Sequence, residues 1–310
     1  MAVSNQVVTE KYAIYNGDSC EVLGSLPDDS VGFSIFSPPF ADLYCYSDDF
    51  RDLSNNGTYE EFFEHFGFII AHLFRVIKPG RICAVHCVDI PAMKERDGYI
   101  GLKDFPGDII RAFGKAGFIY HSRTVIWKDP LIEATRTHSL GLMHKQLVKD
   151  SSMVRAGLPD YLLAFRVPGE SAEPIAHPDG LTEYCGSDDP GGIGAKRSQY
   201  IWRSYASPVW MDIRQTRTLD AKSGRSPEDE KHLCPLQLDV IERGLVLWSN
   251  PGDTVLTPFM GVGSEVYVSV LMGRKGVGIE LKESYFSQAV KHVQEAAKSG
   301  KVRQGSFEGF

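Results

Sequence analysis

The sequence predicts an α/β fold in which a doubly wound, mostly parallel sheet carries helices on both faces. Short apolar runs typical of buried strands alternate with longer segments whose apolar residues recur at helical spacing. Polar residues or glycines follow several of the apolar runs, and α/β proteins bind their ligands at such strand ends. The alternation is lost between about 130 and 225, which predicts an insertion in the core. A chain of 310 residues is long enough for both parts.

The first part of the chain supplies strands and helices in turn. Strands are predicted at 11–15, 31–36 and 82–88, and helices at 19–26, 59–77 and 105–116. The helix at 59–77 has the clearest pattern, because Phe62, Phe66 and Ile69 recur on one face. Lys78-Pro79-Gly80 is predicted to end this helix, and 118–127 to form an edge strand or a hairpin arm.

The last part repeats the alternation. A helix is predicted at 236–248, a strand ending at Thr257, a helix at 266–272, a strand at 276–280 and a helix at 283–298. Between the two parts, 161–167 is predicted to be a strand that returns to the core. The segment 177–194 is rich in Gly, Pro and Asp, which predicts a loop.

Ser37-Pro38-Pro39-Phe40, the proline motif, directly follows the predicted strand 31–36. The two prolines fix φ and donate no N–H, so carbonyls nearby stay free to accept hydrogen bonds from a ligand. The Ser37 hydroxyl can accept from an amino group, and Phe40 can stack on a flat ring. The motif therefore suits a planar base held by its exocyclic amino group, although four residues of this kind also occur in an ordinary turn after a strand.

The segment 253–265 predicts a strand, a glycine turn and a helix. Gly261 and Gly263 let the backbone turn tightly and approach a ligand closely, and the helix start exposes N–H groups. A second short strand then ends at Glu280, and an acid about twenty residues beyond a glycine turn commonly binds ribose hydroxyls. The alternative is a glycine-rich connection with a surface glutamate.

The two motifs together resemble those of the amino-methylating DNA methyltransferases. The proline motif matches the family's [DNS]-P-P-[YFW], and Thr257-Pro258-Phe259-Met260-Gly261-Val262-Gly263 matches its D-P-F-x-G-x-G at every fixed position but the first. The order, proline motif first, is that of the β-type enzymes. The resemblance implies a Rossmann-like methyltransferase fold that uses S-adenosylmethionine (SAM), an inserted target-recognition region, and methylation of an exocyclic amino group on a flipped DNA base.

The resemblance also implies a domain organisation. Residues 1–129 would form the catalytic half of the core, 130–230 the target-recognition insertion, 231–300 the SAM-binding half and 301–310 a flexible tail. The core strand near 161–167 lies within the insertion.

The resemblance assigns roles to single residues. Ser37 Oγ and the Pro38 carbonyl would accept the amino hydrogens of the target, beside Pro39, and Phe40 would stack on the base. For SAM, the implied contacts are Asp18 to the adenine amino group, Glu280 to the ribose, and Pro258, Phe259, Gly261 and Gly263 beside the methionine part.

Asp18 has a second possible role, and Thr257 differs from the residue that the family carries at its position. The alternative for Asp18 is a helix cap. Thr257 lacks the charge of the acid with which the family holds the methionine end, so that role would weaken or pass to a neighbour such as Asp253.

The sequence gives less information about which base is methylated. Ser37 in the first motif position favours cytosine N4 over adenine N6, and Cys234-Pro235 has the reverse of the Pro-Cys order that cytosine C5 methylation needs. The rival hypotheses are an N-methyltransferase for RNA or a protein amide, and a DNA-binding protein whose cofactor site has decayed.

The insertion is basic although the chain is acidic. The chain carries a net charge of −7, but 190–225 contains seven basic and two acidic residues, and aromatic residues lie among them. Local basic density governs phosphate binding, and interleaved aromatics suit contact with DNA, although a solvated insertion would look similar. The predicted partner is double-stranded DNA, contacted by Lys196, Arg197, Arg203, Arg214 and Arg217. Whether the protein forms a homodimer or works with a restriction nuclease is left open.

The cysteines and the hydropathy predict a cytoplasmic protein without a metal site. Six scattered cysteines suggest reduced thiols, and Cys83 and Cys87 lie in the strand-like run 82–88 rather than at zinc-ligand spacing. No apolar run is long enough to cross a bilayer, and the first residues lack a signal-peptide pattern.

Overall fold

The computed structural model describes residues 3–40, 53, 58–92, 94–182, 184, 186, 195–220 and 235–299. The strands are β1 (Val3–Val8), β2 (Tyr12–Gly17), β3 (Val31–Phe36), β4 (Ile77–Val88), β5 (Ile90–Ala92), β6 (Gly101–Lys103), β7 (Ile119–Ile126), β8 (Asp160–Arg166), β9 (Val209–Trp210), β10 (Thr254–Thr257) and β11 (Lys275–Glu280). The helices are α1 (Ser19–Ser25), α2 (Tyr59–Val76), α3 (Lys94–Asp97), α4 (Phe105–Lys115), α5 (Pro130–Thr137), α6 (His144–Lys149), α7 (Ala195–Tyr205), α8 (Leu238–Trp248), α9 (Ser264–Leu271) and α10 (Glu283–Lys298). The predicted tail, 301–310, lies outside the described residues, as do parts of the predicted loop at 177–194.

The central sheet has the strand order β1-β2-β11-β10-β3-β4-β8-β7-β9 among the residues described. Its middle strands, from β2 to β4 in that order, all run parallel. β1 and β8 are antiparallel to their neighbours, and β5 and β6 form a separate hairpin. The predicted α/β fold with a mostly parallel sheet is confirmed.

Pairing between β3 and β10 joins the two halves of the chain. Val255 pairs with Phe33 and Leu256 with Ser34, so the strand before the proline motif lies beside the strand before the glycine turn. The Ser34 hydroxyl also donates to the Leu256 carbonyl over 2.9 Å, which satisfies a polar group that is fully buried. Two segments distant in sequence therefore end at the same edge of the sheet.

Helices cover both faces of the sheet, and every residue of β3 is buried between them. Phe36 packs in the core formed with α1, α2 and α4. Phe33 and Ile35 face the opposite side, where they pack with residues of α8 and α9. This two-sided burial is why β3 is apolar throughout instead of alternating with polar residues.

Some elements differ from the sequence prediction. α2 ends at Val76, and Lys78-Pro79-Gly80 begins the long strand β4 instead of forming a separate turn. β1 was not predicted because half of its residues are polar and most are exposed; it pairs with β2, and Val3 and Val7 pack against the core. The helix α7 was also not predicted, since 195–205 is short and mostly polar.

The insertion docks on α8 through Arg243, which is fully buried. Its guanidinium group pairs with Asp212 at 2.8 Å and lies 4.7 Å from the ring centres of both Tyr205 and Trp210. A buried charge needs such a partner, because desolvation would otherwise be costly. The arginine thus fixes α7 and β9 against the SAM half of the predicted core.

Candidate active site

One cavity of about 270 Å³ collects the predicted site residues at the carboxyl edge of the sheet. Its lining includes Asp18, Ser37, Pro38, Pro39, Phe40, Pro258, Phe259, Gly261 and Glu280. Of the predicted site residues in the two motifs, Thr257 and Gly263 do not line it. The proline motif and the glycine turn therefore open onto the same space, as the interpretation required.

The proline motif is held by aromatic packing. The rings of Phe36, just before it, and Phe259, in the glycine turn, lie 5.6 Å apart between centres. Phe40 meets Phe105 of α4 edge to face at 6.2 Å. Such contacts stabilise a defined ring orientation, and they leave Phe40 partly buried at the cavity wall.

The two glycines of the turn serve different purposes. Gly263 has φ of 93°, and a Cβ there would come within 3.0 Å of Ala289 Cβ in α10, so both the conformation and the packing require glycine. Gly261 has φ of 53°, and a Cβ there would meet open space. Gly263 thus permits close packing of the turn against α10, and Gly261 borders the cavity.

Glu280 is fixed at the end of β11 by backbone donors. One carboxylate oxygen accepts from the Gly261 N–H at 2.8 Å, and the other from the Lys282 N–H at 2.9 Å. The Glu280 carboxylate also borders the cavity, and carboxylate oxygens can accept hydrogen bonds from hydroxyl groups. The expected ribose contact therefore fits the geometry.

Asp18 caps α1, as the alternative interpretation held. Its Oδ1 accepts from the Glu21 N–H at 3.1 Å. Asp18 also lines the cavity, so capping and ligand contact are compatible. Cys20 lines the cavity as well, and burial together with the Asp18 charge raises the pKa of its thiol to about 11. A thiol that stays protonated is a poor nucleophile.

Behind Ser37 lies a chain of polar groups that the sequence did not reveal. Ser37 Oγ is 3.3 Å from His86 Nδ1, and His86 Nε2 is 3.1 Å from an Asp160 carboxylate oxygen. The second contact has ion-pair distance but not hydrogen-bond alignment. Lys128 pairs with the other Asp160 oxygen. Burial acts to raise the pKa of Asp160, but His86 and Lys128 outweigh it and lower that pKa.

Strand direction explains how these groups meet. His86 lies near the end of β4, and Asp160 begins β8, which runs antiparallel to β4. Lys128 follows β7, which runs antiparallel to β8 in turn. His86 was interpreted only as part of a strand between Cys83 and Cys87. Both cysteines are indeed buried in β4. The position of His86 near the carboxyl end of this strand was the sequence feature that could have indicated a functional role.

A second group that the sequence analysis missed is Glu265 in the first turn of α9. It is 4% exposed and lines the cavity. Burial raises the pKa of its carboxyl group to about 8, and the charge of Glu280 adds to this effect. An acid two residues beyond the second glycine was the available signal.

Asp253 does not fill the position left by Thr257. It precedes β10, at the opposite edge of the sheet from the cavity, and its carboxylate pairs with the buried Arg81. The suggestion that Asp253 takes over the acid's role is therefore wrong.

The basic residues of the insertion divide into two groups. Lys196 and Arg203 are exposed on α7, beside Trp202, which is 59% exposed. Arg197 is half-buried and donates to the Thr182 carbonyl at 3.5 Å.

Arg214 and Arg217 have a different environment from the one predicted. Both bind Asp239 of α8, and Arg217 also binds Glu242. Phosphate contact would require these buried carboxylates to lose their partners, which is costly. We therefore assign both arginines to docking of the insertion and correct their expected role as DNA ligands.

Comparison with known proteins identifies the family of this chain. Residues 31–291 match the family model described as DNA methylase. The chain belongs to this family. Family membership confirms the predicted amino-methylating DNA methyltransferase resemblance, and with it SAM as the cofactor.

Two relatives that match most of this chain share less than a third of their aligned residues with it. The chain is 23% identical to the type II methyltransferase M.BamHI of Bacillus amyloliquefaciens over 88% of its length, and spans 55% of that protein. It is 27% identical to M.BglII of Bacillus subtilis over 88% of its length, and spans 66% of that protein. The chain thus covers only part of these relatives. A SAM-complexed protein of Thermus thermophilus, assigned as a DNA modification methylase, has the same fold, with a TM-score of 0.64, 21% identity, and coverage of 93% of this chain and 95% of that one.

No group of three or more His, Cys, Asp or Glu residues that could hold a metal ion occurs in the part of the chain that the structure describes. None of the helices described above has the length and apolar character that crossing a membrane needs.

Proposed function

We propose that this protein is a SAM-dependent DNA methyltransferase that methylates the exocyclic amino group of a flipped base in double-stranded DNA. The observation that carries the proposal is the shared cavity: Ser37, Pro38 and Phe40 line it together with Gly261 and Glu280. A base held by the first group and a cofactor held by the second would be neighbours. Positioning of two reactants in this way supplies much of the rate gain in a transfer reaction.

The residues around the glycine turn would hold SAM. Glu280, whose carboxylate is fixed by backbone donors, would bind the ribose, Asp18 would accept from the adenine amino group, and Gly261 leaves open space beside the turn. When bound, SAM supplies a methyl group on a positively charged sulfur. Pro258 and Phe259 form an apolar wall of the same cavity and would exclude water from it.

The proline motif would hold the target base. The amino nitrogen of a nucleobase is a weak nucleophile because its lone pair is delocalised into the ring. Ser37 Oγ and the Pro38 carbonyl would each accept one amino hydrogen and so increase electron density on that nitrogen, while Phe40 contacts the ring. A base in a duplex reaches such a motif only when its nucleotide is flipped out of the stack.

His86 would receive the proton that the amino group loses. In the tautomer with the proton on Nε2, which lies 3.1 Å from an Asp160 oxygen, Nδ1 would accept the Ser37 hydroxyl proton, and Ser37 would in turn take a proton from the methylated nitrogen. The negative charge of Asp160 would stabilise the imidazolium that forms. Lys128 keeps Asp160 oriented through the second carboxylate oxygen.

Cytosine N4 is the favoured target and adenine N6 the alternative. Serine in the first position of the proline motif favours cytosine within the family. The DNA would contact the exposed face of α7, where Lys196 and Arg203 carry the charge and Trp202 offers a ring for stacking. The organisation into 1–129, 130–230 and 231–300 is part of this proposal, with β8 as a core strand that lies within the insertion and β9 as a strand that the insertion adds at the sheet edge.

A methyl-transfer assay tests the function directly. The protein is incubated with methyl-labelled SAM and, separately, with genomic double-stranded DNA, total RNA or a protein mixture, and the products are digested and identified by mass. N4-methyldeoxycytidine or N6-methyldeoxyadenosine from the DNA reaction supports the proposal and names the base. Label only in RNA or protein supports the rival N-methyltransferases, and no SAM binding in calorimetry supports a decayed site.

A further inference from the structure

Among the described residues, two buried hydroxyls around the glycine turn have no hydrogen-bond partner, and a buried carboxyl group there has no cationic partner. Thr257 Oγ1 and Ser264 Oγ are buried without a hydrogen bond, the residues being 1% and 2% exposed. The Glu265 carboxylate has no lysine, arginine or histidine within ion-pair distance among the described residues. Buried polar groups are nearly always satisfied, so such a cluster beside a cavity indicates a ligand.

Ser264 and Glu265 line the cavity, whereas Thr257 does not. The position at which the family carries its acid is thus neutral and does not line the cavity, while a buried acid stands at the other end of the same turn. An unpaired buried carboxylate is expensive for a fold to maintain. A cationic ligand group would remove that cost.

We propose that Glu265 binds the α-ammonium group of SAM and replaces the missing acid of the glycine turn, with the Ser264 hydroxyl as a second polar contact. The inference rests on the proposed function, since it assumes SAM in this cavity. Both residues follow directly from the turn, so they would meet the same methionine end that the family's acid holds.

Charge balance in the cavity favours a cation at this position. Titratable groups around it are Asp18, Cys20, His65, Glu280, Lys282 and Tyr285. Glu280 is the one whose charge acts on Glu265 and disfavours a second carboxylate. Because the Glu265 carboxyl group keeps its proton near pH 7 in the free protein, ammonium binding would drive that proton into solvent.

Calorimetry on the full chain tests the contact with two ligands. SAM carries the amino-acid end, and 5′-methylthioadenosine carries the same nucleoside without it. We expect Glu265→Gln to weaken SAM binding about 10- to 100-fold, as for loss of a charged hydrogen bond, and to leave 5′-methylthioadenosine binding unchanged. Glu295→Gln, on the exposed side of α10, is the matched control and should change neither.

Two other results of the calorimetry would overturn the inference. Equal SAM affinity in Glu265→Gln and the natural protein overturns the inference, and so does equal loss of both ligands, which would indicate a structural role. A natural protein that binds no SAM overturns the proposed function as well, so the two failures are distinct.

Proton release gives a second readout. SAM is titrated at pH 7 into the protein in two buffers of different protonation enthalpy. The natural protein should release about one proton per SAM, and Glu265→Gln almost none. Release of about one proton from both proteins would assign that proton to another group, and no release together with unchanged SAM affinity in Glu265→Gln overturns the ion pair.

Discussion

The Ser37 hydroxyl lies 3.3 Å from His86 Nδ1, so the proposed base-binding serine has a proton acceptor directly behind it. We expect His86→Gln to lower kcat about 100-fold, as for loss of a general base, while the Kd for SAM stays unchanged. Single-turnover methylation and calorimetry measure the two quantities. His121→Gln, an exposed histidine in β7, is the control. Undiminished kcat in His86→Gln would remove this residue from the reaction.

Ser37 itself should separate chemistry from cofactor binding. Ser37→Ala removes an acceptor for the target amino group, so turnover should fall at least about 100-fold. Its SAM affinity should hardly change, because the expected SAM contacts come from Asp18, Glu280 and the glycine turn. Parallel loss of turnover and SAM affinity would contradict this division of roles.

The exposed face of α7 predicts the salt dependence of DNA binding. Lys196→Ala with Arg203→Ala should weaken binding and reduce the slope of log K against log salt by about 0.9 for each lost phosphate contact. Fluorescence anisotropy over a range of salt concentrations measures this slope. Lys291→Ala, exposed on α10, should leave it unaltered. An unchanged slope in the double variant would place the DNA-binding face elsewhere.

Arg243 predicts a large effect on stability. Arg243→Met leaves Asp212 without its partner and removes the cation between Tyr205 and Trp210. Breaking a buried pair in this way typically lowers the free energy of unfolding by about 3–5 kcal/mol. Urea denaturation provides the measurement, with Arg111→Ala on the surface of α4 as a control that should change little. Equal midpoints for both variants would argue against docking through Arg243.

Glu265 predicts a pH dependence of stability in the free protein. Its pKa rises from 4.5 to about 8 on folding, so between these values the folded chain holds a proton that the unfolded chain has lost. The free energy of unfolding should therefore fall as pH rises through this window, relative to Glu265→Gln, by up to about 1 kcal/mol per pH unit. Urea denaturation of both proteins at pH 5, 6.5 and 8 without SAM tests this, and parallel trends would contradict it.

Much of the fold was predictable because local patterns and burial agree. The strand 31–36 and the helix 283–298 were predicted with the bounds that the structure has, since each has a clear apolar pattern and a distinct boundary. α7 and β1 were not predicted, because polar residues interrupt their apolar patterns and because docking and strand pairing stabilise them. The roles of Arg214 and Arg217 were also not predictable, because the composition gives the number of charges but not the carboxylates with which each arginine pairs.

The sequence by itself determined the fold class, the two motifs and their order, because strand and helix periods and turn residues are local properties of the chain. Only the tertiary structure decided that both motifs open onto one cavity, that Asp160 stands behind His86, and that Glu265 rather than Asp253 borders the cavity. The physical reason is that strand order and direction bring residues distant in the sequence to one edge of the sheet. Which groups are buried or paired at that edge depends on residues that become neighbours only when the chain folds.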